Sequence, residues 1–119
     1  MSDHVYWMLE MSMKDGQLDA FKALRDEMVQ DVEANEPGTL NYEWWMNGDE
    51  TVCHLFERYA DSEATLVHLQ TFGTKYAERF MACVDIKRFI AYGNPNEAVR
   101  KALGGLGVKI MNPFGGFTR

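Results

Sequence analysis

The chain has little of what nucleic-acid-binding and membrane-spanning proteins need. Its 12 lysines and arginines are outnumbered by 18 aspartates and glutamates, for a net charge of −6. Phosphate binding requires a basic face, so this charge argues against nucleic acid as a partner. No apolar run is long enough to cross a bilayer, and residues 1–4 lack the basic start of an export signal. We therefore expect a cytoplasmic protein with no membrane partner.

Cysteine and histidine are also scarce, and their spacing bears on redox and metal chemistry. The two cysteines, Cys53 and Cys83, form no CxxC pair, and we expect them to be reduced thiols in the core. The three histidines, His4, His54 and His68, show neither HxH nor HxxxH spacing, which predicts no metal site. No glycine-rich loop joins a strand to a helix, so a nucleotide fingerprint is missing. From these absences we expect no cofactor.

Bulky side chains, by contrast, occupy both faces of the first two predicted strands, at residues 4–13 and 38–47. In an extended chain, neighbouring side chains point to opposite faces, so the adjacent Trp44 and Trp45 must separate. If one face of the sheet were exposed to solvent, one of the two tryptophans would remain unburied. We therefore expect the sheet's own helices to cover one face, and a ligand or a second subunit to cover the other. The face predicted for the helices carries Leu40, Tyr42, Trp44 and Met46.

Hydrophobic periodicity and turn signals predict the remaining elements. Apolar residues recur every three or four positions from Gly16 to Ala34, which predicts a helix with Asp15 as its N-cap. A hairpin turn at 47–49 leads into a third strand, Val52 to Tyr59. Asp61 can cap a second helix, and Gly73 interrupts the apolar stripe of that helix, so we expect a kink there. A fourth strand covers 84–92.

The predicted order is therefore β-α-β-β-α-β, the ferredoxin-like plan of an α+β protein with an antiparallel sheet. Both helices lie on one face of such a sheet, and two bare faces placed together would close a dimeric α+β barrel. We expect residues 1–93 to form this domain. Asn94 and Pro95 open a short C-terminal helix, and Val108 to Arg119 form an apolar arm. Residues 94–119 are predicted to pack on the same domain.

Two segments carry a resemblance to a known family. Residues 36–43, Glu-Pro-Gly-Thr-Leu-Asn-Tyr-Glu, resemble the E-P-G-x-L-x-Y-E turn and strand of the antibiotic biosynthesis monooxygenase domain. Residues 56–61, followed by Ala64 and His68, resemble its second conserved segment. With the predicted order of elements, the resemblance covers roughly residues 4–93. It implies the dimeric α+β barrel fold.

Members of this superfamily include cofactor-independent monooxygenases acting on phenols and quinols, haem-degrading enzymes, isomerases and cyclases. The chain departs from the family at two places. Tyr59 stands where the family often has Trp, and the first strand lacks the Asn that haem-degrading members use. The resemblance therefore implies a small aromatic or quinone-like ligand rather than haem, and fold alone does not decide the activity.

Three residues are candidates for catalysis. His68, matching the family histidine, could take a proton from an acidic phenol or enol, or it could be a structural residue bonded to a strand carbonyl or to Glu57. Tyr59 could hydrogen-bond a phenolic oxygen, or it could pack the start of the second helix. Asn41 could orient a carbonyl or a reduced dioxygen species, or it could lie in a dimer interface.

The remaining candidates are predicted to bind the substrate. Trp45 could stack on an aromatic ring, with Tyr6 and Met8 completing a dry pocket on the same face, or it could lie in the dimer interface. His54 and Arg58 could bind an anionic group. The resulting hypothesis is a homodimeric, cofactor-independent monooxygenase acting on a small aromatic or quinol. The alternatives are an isomerase or cyclase on the same scaffold, and a non-catalytic dimer that binds a small molecule.

Overall fold

The computed structural model describes residues 2–119, which form five strands and four α-helices. No helix in this range is long and apolar enough to cross a membrane. A single π-helical turn, Phe72–Tyr76, joins the second α-helix to the third. In chain order the elements are β1 (Val5–Met13), α1 (Leu18–Asn35), β2 (Thr39–Met46), β3 (Val52–Tyr59), α2 (Ser62–Thr71), α3 (Ala77–Cys83), β4 (Val84–Tyr92), α4 (Glu97–Gly104) and β5 (Lys109–Met111).

The strands form one sheet in the order β2-β3-β1-β4-β5. The first four are antiparallel to their neighbours, which confirms the ferredoxin-like α+β prediction. The fifth strand comes from the C-terminal arm and pairs parallel with β4, so the complete sheet is mixed. The added strand covers the edge of β4 that the four-strand plan would leave unpaired.

The core lies between the sheet and its helices. Odd-numbered residues of β1 up to Met11 and of β3 face the helices and are buried, while their even-numbered neighbours are partly exposed on the other face. Alternating burial of this kind is typical of an antiparallel sheet with one covered face. Cys53 and Cys83 are both free and buried, in agreement with the predicted core thiols. Helix α1 contributes a buried stripe of Phe21, Leu24, Met28 and Val32.

Two predicted helix caps are wrong, and one is confirmed. Helix α1 begins at Leu18, so its N-cap is Gln17 and Asp15 lies too early in the chain to cap it. Helix α4 is capped by Asn96, whose side chain accepts a hydrogen bond from the Val99 amide at 3.0 Å. The predicted cap of α4, Asn94, instead accepts a hydrogen bond from Arg100. Asp61 caps α2 as expected.

Two local irregularities affect the predicted pattern. The π-helical turn contains Gly73, so the interruption expected there takes the form of a wider turn, and α3 follows it directly. On β2, the pairing with β3 shifts between Thr39 and Asn41. Leu40 is the extra residue of this bulge and is 41% exposed, so the prediction that it shares the helix-covered face is wrong.

The C-terminal arm has two parts with different surroundings. Val108 and Ile110 pack against a buried cluster that includes Val99 and Leu103 of α4. Beyond β5, Phe114 and Phe117 are almost fully exposed within the single chain. Contact of this outer part with a partner subunit stays a prediction.

Candidate functional site

The two family-like segments of the sequence meet in the structure at the start of α2. Gly38 lies so close to this helix that a Cβ atom in its place would stand 2.5 Å from the Cβ of Ala64. Only glycine permits this approach without a shift of the helix. One helical turn after Ala64, the ring of His68 meets the carboxylate of Glu36. The tight turn thus brings Glu36 to His68.

His68 is held between two carboxylates. Its Nδ1 lies 2.9 Å from Glu36 Oε1, and its Nε2 lies 3.0 Å from Glu57 Oε1. All three residues are at most 5% exposed. Thr39 Oγ1 also donates to Glu36 Oε1, at 2.9 Å. We call the three residues Glu36, His68 and Glu57 the buried acid–base array.

Glu57 accepts hydrogen bonds from two further buried side chains. Trp7 Nε1 donates to Oε2, and the Tyr59 hydroxyl donates to Oε1. A buried carboxylate is costly unless its oxygens are hydrogen-bonded, and here donors reach both of them. These bonds hold Glu57 on the helix-covered face of β3 and orient it toward His68.

The array keeps His68 protonated near neutral pH. Burial alone would lower the pKa of the imidazole, but the hydrogen bonds to Glu36 and Glu57, together with their charges, outweigh burial and raise the pKa to about 9. At pH 7 the imidazolium is therefore the main form. A protonated His68 can donate a proton or stabilise an anion, whereas accepting a proton falls to one of the carboxylates.

The neighbouring tyrosines stay neutral. Burial raises the pKa of Tyr59 well above its usual value, and the negative charge of Glu57 adds to the effect. The pKa of Tyr42 is raised for the same two reasons, burial being the larger. Both phenols are therefore hydrogen-bond donors at any physiological pH.

A cavity of about 50 Å³ opens beside the array, between the sheet and the helices. Its walls are mostly apolar, and Glu57, His68 and Tyr42 bring polar groups to them. Ligand pockets commonly have several hundred Å³, so an aromatic ligand requires the cavity to widen. Leu106, after α4, also lines the cavity and is 63% exposed. The aromatic walls are Trp7, Phe72, Phe80 and Phe89.

The predicted substrate-binding residues lie on the opposite, open face of the sheet. Register pairs Tyr6 with Arg58 and Arg58 with Asn41, which forms one row across three strands. His54 pairs with Trp45 in another row, and its Nε2 lies 3.2 Å from Glu10 Oε1. Met8 lies between these rows, paired with Phe56. The structure thus brings all six predicted residues of this face onto one surface: Tyr6, Met8, Asn41, Trp45, His54 and Arg58.

The sheet separates this surface from His68 and Tyr59. The hypothesis combined these two residues with Trp45 and Asn41 in one pocket, and the structure does not bring the two groups together. Tyr59 is fully buried on the helix side, since alternation along β3 turns it away from Arg58. The individual roles of the predicted site residues stay predictions. The residues of the two faces cannot all contact one small ligand in a single chain.

A second and larger space lies at the edge of the open face. This groove of about 510 Å³ runs between the C-terminal arm and the start of β1. Of the predicted site residues it contains only Tyr6, and no member of the buried acid–base array lines it. The volume of the groove makes it the better fit for an aromatic ligand, whereas the acid and base groups line the small cavity. We place the candidate active site in the cavity, because acid and base groups converge there.

The prediction of the site missed Glu36 and Tyr42, and it treated Glu57 as a structural acceptor. Both missed residues belong to the segment 36–43 that carried the resemblance, so the signal was present in the motif.

Among residues 2–119, no set of three His, Cys, Asp or Glu side chains has metal-binding geometry. The absence of a metal from the mechanism stays a prediction.

Comparison with known proteins agrees with the fold and with the motifs. The family model described as antibiotic biosynthesis monooxygenase matches residues 5–84. The crystal structure of MupZ from Pseudomonas fluorescens is 26% identical, with a TM-score of 0.85 over 100% of this chain and 91% of that one. SnoaB, a cofactor-independent oxygenase from Streptomyces nogalater, is 14% identical, with a TM-score of 0.66 over 80% of this chain and 96% of that one. No curated protein sequence matches the chain.

Proposed function

We propose that this chain, which belongs to the antibiotic biosynthesis monooxygenase family, oxygenates a small aromatic or quinol substrate without metal or flavin. The substrate would bind in the helix-side cavity. The similarity to SnoaB supports the scaffold for this reaction but does not identify the substrate. The observation that carries the proposal is the buried acid–base array beside a cavity with aromatic walls.

Different residues of the array have different roles in the proposed reaction. His68 is already protonated at pH 7, so Glu57, the carboxylate that lines the cavity, accepts the proton of the substrate. The imidazolium of His68 then stabilises the negative charge that develops on the substrate oxygen. This assignment revises the hypothesis that His68 is the base.

The substrate anion supplies the electrons in the subsequent step. It reduces dioxygen, and recombination at carbon forms a carbon–oxygen bond to give a hydroperoxide. Loss of water from a CH–OOH group leaves a carbonyl, so one oxygen atom enters the product and the other leaves as water. The apolar walls exclude bulk water, which would otherwise protonate the anion.

Oxygen consumption tests this proposal. Purified protein is mixed with a panel of hydroquinones and anthrone-like compounds in the presence of a chelator and without added flavin. We expect one dioxygen consumed per substrate oxidised, and one labelled oxygen atom in the product from ¹⁸O₂. No uptake above the uncatalysed rate across the panel would contradict oxygenation.

An isomerase or cyclase is the second candidate, since an acid and a base lie side by side in the array. Proton transfer between two positions of a substrate needs both groups and no oxygen. Exchange of an acidic C–H for deuterium in D₂O, followed by NMR under nitrogen, would favour this candidate. A protein that binds aromatic compounds but shows neither uptake nor exchange would be the non-catalytic alternative.

We also propose that two copies pair through their open sheet faces. The open face carries Trp45, 59% exposed, and Tyr92, 38% exposed. Exposed aromatic side chains on one continuous face are typical of a subunit interface. In this arrangement the predicted residues of the open face contribute to the dimer, and the catalytic groups remain within each subunit.

A further inference from the structure

We infer that the hydroxyl group of Tyr42 is the donor that holds an oxygen atom of the substrate in the helix-side cavity. The inference rests on the proposed function, because it assigns a ligand contact within the same site. It also narrows the substrate to a ligand with a phenolic or enolic oxygen directed at β2.

The position of Tyr42 comes from the register of β2. Tyr42 pairs with Glu57 of β3, so both side chains project from the helix-covered face. Its ring contacts the ring of His68 edge-on, with centroids 5.5 Å apart and planes at 69°. The ring of Trp44 also meets it edge-on, with centroids 5.5 Å apart and planes at 86°. Tyr42 and His68 therefore line one part of the cavity together.

The hydroxyl group of Tyr42 differs from those of the other buried tyrosines. Tyr59 donates to Glu57, and Tyr76 donates to Asp31. Tyr42 is only partly buried as a residue, but its hydroxyl is shielded from solvent and has no hydrogen-bond partner among residues 2–119. Folded proteins rarely leave a buried donor without an acceptor, and exceptions call for a functional explanation.

The surrounding charges decide which ligand group suits this donor. Tyr42 stays neutral and donates, and the His68 imidazolium beside it carries a positive charge. A hydroxyl donor without a partner, beside this positive charge, matches an oxygen that carries negative charge, above all a phenolate or enolate. The anion that the proposed reaction creates is of this kind.

Binding of 4-nitrophenol tests the inference, because its absorption reports both binding and ionisation. We expect Tyr42→Phe to weaken binding about tenfold, as loss of one hydrogen bond to a charged group does. The variant should also raise the pKa of the bound ligand. Binding of 4-nitrotoluene, which offers no hydroxyl group, should change less than twofold. Tyr92→Phe, on the open face, is the matched control and should bind both compounds as the unmodified protein does.

Thermal stability separates this role from a structural one. If the hydroxyl lacks a partner in the free protein, Tyr42→Phe removes a buried unpaired donor, and the melting temperature should stay the same or rise. A clear fall in melting temperature would show that the hydroxyl is satisfied within the fold, and it would overturn the inference.

The remaining outcomes also decide the matter. Unchanged affinity for 4-nitrophenol in Tyr42→Phe, or no binding to the unmodified protein at millimolar concentration, would overturn the inference. Weaker binding in Tyr92→Phe alone would place the ligand on the open face and would contradict the proposed site as well. Oxygen uptake that persists in Tyr42→Phe with unchanged KM and kcat would overturn the donor role while leaving the proposed function in place.

Discussion

The two faces of the sheet carry a histidine–glutamate pair each, and the pairs differ in their surroundings. On the helix-covered face, the side chains of His68 and Glu57 are 6% and 3% exposed. On the open face, those of His54 and Glu10 are 44% and 27% exposed. Glu57 and His54 belong to the same strand, three residues apart. The contrast arises because an odd separation along a strand places two side chains on opposite faces.

Burial gives the two pairs different chemical consequences. Water screens the exposed pair, so its contribution to stability should be small. The buried array lacks such screening, and its charges shift the pKa of His68 and constrain the side chains of Trp7 and Tyr59. The comparison teaches that the unscreened charges of this fold lie on the helix side of the sheet, which supports the proposals that chemistry takes place there and that the open face serves association.

The largest effect should come from truncating the buried carboxylate. Glu57→Ala leaves His68, Trp7 and Tyr59 without their common acceptor, and we expect it to lower the free energy of unfolding by about 3–5 kcal/mol. Glu10→Ala, the counterpart on the open face, should cost about 0–1 kcal/mol. Urea unfolding of both variants measures the difference. Equal losses would show that the two pairs are equivalent.

The second-largest effect should be a loss of folding stability at alkaline pH, where His68 of the buried acid–base array loses its proton. The pKa of His68 is raised in the folded state from 6.5 to about 9, so its contribution is fully present below about pH 6.5 and lost as the pH rises toward about 9. The difference corresponds to about 3 kcal/mol of folding free energy. Urea unfolding at intervals across this range measures it. His68→Gln should flatten the profile, and a variant that kept the full slope would refute the assignment.

Activity should depend on the helix side more than on the open face. His68→Ala should reduce turnover of any accepted hydroquinone by about 10²-fold, because it removes the charge that stabilises the substrate anion. His54→Ala provides the comparison on the other face. Steady-state oxygen uptake, with the melting temperature of each variant, measures the two effects. A greater loss of turnover in His54→Ala would move the active site to the open face.

Association should depend on the open face. Trp45→Lys should raise the dimer dissociation constant at least about tenfold, since burying a large apolar side chain is worth about 1.5–3 kcal/mol. Val67→Lys alters an exposed apolar residue of α2 and should leave association unchanged. Light scattering over a dilution series gives both constants. A protein that is monomeric at micromolar concentration would exclude the proposed pairing.

The smallest effect is expected from the outer part of the arm. Removing residues 112–119 retains β5 and deletes the exposed Phe114 and Phe117. If these side chains contact the partner subunit, the dimer should weaken a few-fold while the melting temperature of the monomer stays the same. Analytical ultracentrifugation of the truncated protein measures this. Unchanged association would show that the outer arm has no part in the interface.

Much of the fold could be predicted from local patterns. Alternation identified the strands, and three- and four-residue periodicity identified α1, because one buried face imposes those periods on the chain. The caps of α1 and α4 were misplaced, since several Asp and Asn residues near a helix start can serve and tertiary contacts decide between them. The bulge at Leu40 was likewise invisible, because it depends on the register with β3.

The candidate site was less predictable than the fold. Alternation correctly placed Tyr6, Met8, Trp45 and Asn41 on one face, since the faces of a strand follow from its sequence alone. It could not show that His68 lies on the other side of the sheet with Glu36. Those two residues are 32 positions apart, and they meet only because Gly38 allows the turn to approach α2.

The sequence alone thus determines the order of strands and helices, the two faces of each strand and the family. Each of these depends on the spacing of residues over a few positions along the chain. The acid–base array depends instead on three segments that fold together around His68. The pKa of His68 is raised because two carboxylates, brought from β3 and from the turn before β2, outweigh the burial that would lower it. Long-range contacts of this kind exist only once the helices have packed on the sheet, because only then is water excluded from the charges.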